Sequence, residues 1–388
     1  MSQVTQDSRI QRARAHRRHR DEALPSFYGL LQLSVRDLKQ LRSAAGCIRC
    51  RATVDTALLA RASLIVASAV AFISLMGAFF GAQSAIPAVA LYVCMLCVRF
   101  VGFNYAPVEN LKAMAVVFAV LTMMPLLGQH AGAPARLVLN IAGLMVVAVD
   151  GPRMGNGGTY GFAYALLAGA VYDAPLRDDE MPLRVATMAA GFLLCAAVYW
   201  RCRNRTAEAQ RARAAGGSFA HRTIGSALRE VSLDNEKTRY HLRAALGISL
   251  AFFAGDMLGM RRLMWMGLVG SSLLTPHATA VRDRIWWRTG FSALGVVLFC
   301  IVYPAAPPLL QAVFGMVIGM CCGLSGKYHW TQAFNTMGAM LLGQTMFGMG
   351  GAAFWRIADS LLAGAVVAAF SFAYRRGLRR LGVAGGEA

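Results

Sequence analysis

Apolar residues in this chain come in long runs cut at intervals by charges, prolines and glycines, rather than in the stripes of soluble amphipathic helices. The runs fall near 57–80, 84–103, 111–128, 134–150, 157–172 and 182–200, then 242–259, 263–280, 288–304, 307–324, 330–348 and 355–374. Runs of about 17 to 22 residues coiled as α-helix cross a hydrocarbon core of about 30 Å. No ten-residue alternation of the outer-membrane barrel type is present. The pattern predicts an all-α integral membrane protein of about twelve transmembrane helices. It divides the chain into an arm (1–56), a six-helix half (57–200), a linker (201–241), a second six-helix half (242–375) and a tail (376–388).

The halves read as a repeat. Sliding the chain until Arg184 meets Arg356 also pairs Thr159 with Thr331, Phe162 with Phe334, Ala186 with Ala358 and Arg203 with Arg375. A second register lays Arg61-Ala62 over Arg243-Ala244. Six spans per half makes the repeat a parallel 6+6 one, its pseudo-twofold along the membrane normal. Within the arm, Tyr28, Leu31, Val35, Leu38 and Leu41 recur at helical steps opposite Arg36, Lys39 and Arg42, which predicts a helix lying on the cytoplasmic leaflet.

Composition agrees with the runs, at 57% hydrophobic and 15% charged residues. The formal charge of +20 would suggest nucleic acid in a soluble protein, but its placement excludes that reading. Cations crowd the arm (Arg9, Arg12, Arg14, Arg17, Arg18, Arg20), the linker (Arg201, Arg203, Arg205, Arg211, Arg213) and the tail (Arg375, Arg376, Arg379, Arg380). By the positive-inside rule all three segments, and both termini, are cytoplasmic. The acidic loop from Asp173 to Glu180 falls outside, and Arg261 and Arg262 are an exception, also outside by this count. Arginine in place of lysine, with abundant Ala and Gly, points to a GC-rich bacterial genome and so to a bacterial inner membrane.

Most of the nine cysteines sit inside the runs and predict no disulfide framework. Cys47 and Cys50 form a C-x-x-C without a second ligand pair nearby, so no metal is expected. The first apolar run begins behind some fifty mostly polar residues, so no signal peptide is expected. Gly326-Lys327 lacks the rest of a phosphate-cradling loop, and neither H-E-x-x-H nor G-x-S-x-G occurs. The expectation is no enzyme and no cofactor.

Candidate chemistry therefore lies in polar residues placed where hydrocarbon makes them expensive. The eighth run, opening at Trp265, is Gly-rich and broken by Pro276 before His277. Proline frees a carbonyl one turn earlier, which protein or water must satisfy. Arg288 and His277 are candidates to hold an anion and relay a proton, against an Arg288 that only anchors a helix end at the headgroups and a His277 that caps a turn. The eleventh run carries Thr331, Asn335, Gly338 and Thr345 on one face, with Gln332 and Gln344 beside it. That is either a substrate-facing surface or interhelical glue. In the fifth run Tyr160, Tyr164 and Tyr172 share a stripe that either cradles an aromatic ring or forms an interfacial belt. Arg356 and Asp359, three apart, are positioned to clasp each other on one helix face. Arg184 and Arg356 are expected at equivalent outward entries near the headgroups. Gly315, Gly319 and Gly323 form a double G-x-x-x-G ridge for helix packing, inside the bundle or at a dimer seam.

The second half, from Tyr240-His241-Leu242-Arg243-Ala244-Ala245 through Trp265, Thr275-Pro276, Arg288-Thr289-Gly290 and Gly295 to Arg356-Ile-Ala-Asp359-Ser-Leu-Leu-Ala-Gly364, resembles the fusaric acid resistance or aromatic acid exporter family. That family pattern has R-x-x-G where this chain has the tighter R-T-G, and usually Thr where this chain has Ser360. The resemblance covers about the last 140 residues, and reaches the first half only through the repeat. Many members insert a large cytoplasmic domain between the halves, where this chain has about forty residues. The resemblance implies efflux of hydroxylated aromatic carboxylates or similar weak acids across a bacterial inner membrane.

The leading expectation is thus an inner-membrane exporter of small organic anions, driven by membrane potential or proton motive force, with Arg288, His277, Asn335, Tyr160, Tyr164 and Trp265 toward substrate and Arg356, Asp359, Arg184 and Pro276 structural or gating. An inside-negative potential draws an anion outward by about 2.3 kcal/mol per charge per 100 mV. A passive anion channel and a non-transport membrane scaffold remain as alternatives. Expected partners are the substrate anion and the bilayer, with room for a homo-oligomer and a periplasmic adaptor.

Overall fold

The computed structural model describes residues 25–99, 103, 105–150, 158–205, 223–229, 231–274 and 281–382. The arm arginines up to Arg20, the linker residues Arg211 and Arg213, and Thr275, Pro276 and His277 lie outside them. Among the described residues the structure is all helix: α1 (Phe27–Gln32), α2 (Val35–Ala44), α3 (Ile48–Phe80), α4 (Ala85–Val98), α5 (Pro107–Gly128), α6 (Ala133–Asp150), α7 (Gly158–Asp173), α8 (Met181–Cys202), α9 (Ile224–Arg229), α10 (Glu236–Met257), α11 (Leu263–Leu274), α12 (Val281–Ala305), α13 (Pro308–Ala312), α14 (Phe314–Ser325) and α15 (Tyr328–Arg380). Five of these, α3, α5, α8, α12 and α15, are long and apolar enough to cross a membrane by length and composition, and shorter apolar helices accompany them. The eleventh and twelfth runs fall in one element, α15, divided at Gly348, whose φ of 69° is a left-handed conformation that favours glycine.

The chain forms two compact units, Met1–Ser68 with Leu294–Thr345, and Ala69–Ala293 with Met346–Ala388. In the first unit the arm differs from the expected surface helix. Leu33 caps the end of α1 and Ser34 starts α2: its hydroxyl accepts from the Asp37 N–H while the Asp37 carboxylate accepts from the Ser34 N–H, a reciprocal capping box. Leu30 and Leu38 are fully buried against Val54, Ala57 and Leu58, with Leu324 beside them. Within the arm's apolar stripe Leu38 is thus covered by protein, with Leu31, Val35 and Leu41 packed beside it, while Tyr28 is exposed. Lys39 donates to the Ser325 carbonyl at the end of α14 (2.6 Å), where a cation suits the helix dipole. Its ammonium is held below the ordinary lysine range, first by partial burial, then by Lys327 and Arg42.

Two further expectations meet the structure here. Cys47 and Cys50 are joined by a disulfide at the start of α3, so the C-x-x-C forms the one bridge that the sequence reading did not foresee. Its local cause is the spacing: one helical turn brings residues three apart together. The glycine ridge packs inside this unit, since a Cβ on Gly319 would stand 3.3 Å from Val66 and one on Gly323 3.4 Å from Ala62, both on α3. Gly315 faces Leu341 in the same way.

In the second unit α7 is central, buried from Tyr160 to Tyr172 except at Phe162, because it is apolar all round. It packs on α4, α5 and α11. Between helices in lipid, close packing rather than water exclusion supplies the gain, so small residues mark the tightest crossing. Gly169 is such a residue, since any side chain there would run into the Met264 backbone of α11.

Candidate anion site

The α7–α11 crossing sets up the polar centre of the second unit. Asp173 ends α7 opposite the first residues of α11, and its carboxylate accepts from the Leu263 N–H (2.6 Å) and the Met264 N–H (3.3 Å). Those N–H groups have no partner inside their own helix, and a carboxylate from a neighbouring helix satisfies them as an N-cap would. Arg262 adds an ion pair at 3.7 Å, with its side chain and that of Asp173 only 10% and 3% exposed. The two arginines that depart from the charge count have partners in the protein: Arg262 pairs with Asp173, and Arg261 lies over the Trp355 ring at 5.8 Å.

The same start of α11 presents Trp265, which is buried. Two guanidinium groups approach its ring, Arg356 at 5.1 Å and Arg262 at 5.8 Å. Arg356 stands on α15 beyond Gly348 and is 3% exposed, and Asp359, one turn on, is 0% exposed. The clasp expected from their i, i+3 spacing does not form as a hydrogen-bonded pair. Among the described residues, Nε and Nη1 of Arg356 and both carboxylate oxygens of Asp359 carry no hydrogen bond. Ser360 donates instead to the Arg356 carbonyl (2.9 Å), a bond to its own helix that threonine would make as well. Arg288 on α12 is also buried, and its charge acts on Arg356. Asp359 feels Arg356, Asp173 and Arg262. Arg262, Arg288 and Arg356 against Asp173 and Asp359 leave one formal positive charge in a nearly dry setting.

Arg288 is 5% exposed, so its guanidinium is surrounded by protein. Arg184 and Arg356 are likewise buried inside protein. Arg184 is the fourth residue of α8 and 6% exposed, and its Nη1 has no hydrogen-bond partner among the described residues.

Other candidates have partners of their own. Tyr164 and Tyr172 both donate to the Asn140 side-chain oxygen, at 2.9 and 2.8 Å, and Tyr160 packs on Phe103 with ring centroids 5.3 Å apart. The stripe is a core network in this structure, its hydroxyls committed to Asn140 or buried. Asn335, in the first unit, is exposed and accepts from Cys322 Sγ at 3.3 Å. Thr331 and Thr345 turn their hydroxyls to carbonyls of their own helix, Lys327 and Leu342.

At the other end of α11, Arg243 donates to the Leu274 carbonyl (3.2 Å) and Arg284 to the Ser272 carbonyl (3.5 Å). The final carbonyls of a helix lack internal partners, and Ser272 stands four residues before Pro276, so cations supply what the chain cannot. The sequence signal for Arg243 and Trp265 was the family-like pattern. No signal short of the fold paired Asp173 with Arg262.

Much of the cluster, though not Asp173, lies within one stretch of family likeness. Residues 250–370 match the family described as fusaric acid resistance protein-like. The match takes in Trp265, Arg288, Arg356 and Asp359, and supports the resemblance read from the second half. No curated protein and no solved structure matches the chain.

Proposed function

We propose that this protein exports small organic anions, aromatic carboxylates foremost, across a bacterial inner membrane. In this reading both termini are cytoplasmic, the spans number twelve in a parallel 6+6 repeat, and the chain performs no enzymatic reaction. The observation that carries the reading is the buried Arg356 guanidinium, two of its nitrogens without a hydrogen bond, above the Trp265 ring and beside Arg288.

A dry guanidinium with unused donors binds a carboxylate through charge-assisted hydrogen bonds, and the Trp265 ring beneath it holds the Arg356 group in place. Excess positive charge in the cluster attracts an anion from the cytoplasm. The inside-negative potential then favours its departure outward. The family likeness of residues 250–370 supports the same reading.

The test is export of a labelled aromatic acid from loaded cells, normalised to protein in the membrane. Arg356→Ala and Arg288→Ala are each expected to lower apparent affinity about ten- to a hundredfold at normal abundance. Arg356→Lys is expected to restore only part, because an ammonium lacks the paired donors. Unchanged normalised export in both alanine variants overturns the proposal.

A further inference from the structure

The exporter reading leaves Asp359 without a task. It is fully buried, neither oxygen carries a hydrogen bond among the described residues, and it follows Arg356 by one turn of the same helix. The charged groups around the pair are Asp173 from the end of α7, Arg262 from the start of α11, and Arg288 from α12. Asp173 is already engaged by Arg262 and two backbone N–H groups, so it is not the free counter-charge.

We infer that Asp359 is the built-in competitor for the anion site, and that an organic anion binds more tightly when the Asp359 carboxylate carries a proton. The inference rests on the exporter reading, since it names how that site is regulated. Its physics is competition for one cation. With Asp359 ionised, its negative charge offsets the Arg356 guanidinium and repels an arriving carboxylate in a setting of low dielectric. When one proton from water joins a carboxylate oxygen, Asp359 becomes a neutral acid, the cluster's formal charge rises from one positive to two, and Arg356 is left for the ligand. By linkage, whatever raises anion affinity on protonation also raises proton affinity on anion binding by the same factor. The consequence for export is a loading step tuned to need. A weak acid that enters a cell in its neutral form releases its proton inside, so accumulation of substrate acidifies the compartment from which this site loads.

The test uses the full chain purified in lipid nanodiscs, with labelled benzoate as probe and two readouts. In equilibrium binding, wild-type affinity is expected to rise about five- to 150-fold from mildly alkaline to mildly acidic buffer. Asp359→Asn, neutral at every pH, is expected to bind at the wild type's acidic-pH affinity throughout. Asp359→Glu is expected to keep a pH dependence, which separates charge from fold. In infrared difference spectra, benzoate binding at neutral pH is expected to raise a protonated-carboxyl band that is missing in Asp359→Asn. A pH-independent wild type, or an Asp359→Asn protein that retains the wild-type pH dependence or the band, overturns the inference while benzoate binding keeps the exporter reading standing. Absence of benzoate binding at every pH overturns both.

Discussion

Asp173 and Asp359 are both buried aspartates of the second unit, each close to arginine, yet they have opposite surroundings. Asp173 accepts two backbone hydrogen bonds and an ion pair, all at the N-terminus of α11. Among the described residues Asp359 accepts none. A charge removed from water is tolerable when fixed dipoles replace its hydration, and a burden when they do not. The first arrangement holds a fold together. The second is kept in spite of its cost, as is common where a group serves binding rather than stability.

That contrast predicts a ladder of stabilities for the purified protein, read as thermal or denaturant unfolding in detergent. Asp173→Ala strands the Arg262 guanidinium and two α11 N–H groups at once, and is expected to lose about 3 to 5 kcal/mol. A loss no larger than that of Asp359→Asn would erase the distinction. Next comes the crossing that delivers Asp173 to its partners: Gly169→Val drives a branched side chain into the Met264 backbone, with an expected loss of about 1 to 3 kcal/mol. Full stability in that variant would mean that α7 and α11 do not meet there. The smallest effect belongs to Asp359→Asn, which removes a buried charge without breaking a hydrogen bond, and stability is expected to change by less than about 1 kcal/mol in either direction. A severe loss would show Asp359 to be as structural as Asp173.

The same division separates what was legible in the sequence from what was not. Arg356 and Asp359 stood out because charges within an apolar run are costly wherever the run goes. Their spacing, however, suggested a clasp, and the structure leaves both without the bond, since the side chains answer to Trp265, Arg288 and Arg262 on other elements. Tyr164 and Tyr172 were visible as a stripe. Asn140, 24 and 32 residues away from them, was not visible as the acceptor that absorbs them. Leu38 stood in the arm's apolar stripe and Leu30 did not, yet both are buried against Val54 and Leu58, because the break between the two arm helices shifts the face that the chain buries.

By itself the sequence determined the helices and their apolar character, because the span of a bilayer and the need to satisfy every backbone group within a segment leave helical runs as the solution for such stretches. It also determined the family-like polar positions of the second half, since those are residue identities. Only the tertiary structure decided which charges are neutralised and which are left open. That outcome depends on whether a helix end, a ring or a second charge arrives within hydrogen-bonding reach, and Asp173 meets Leu263 across ninety residues of chain solely because α7 and α11 cross at Gly169.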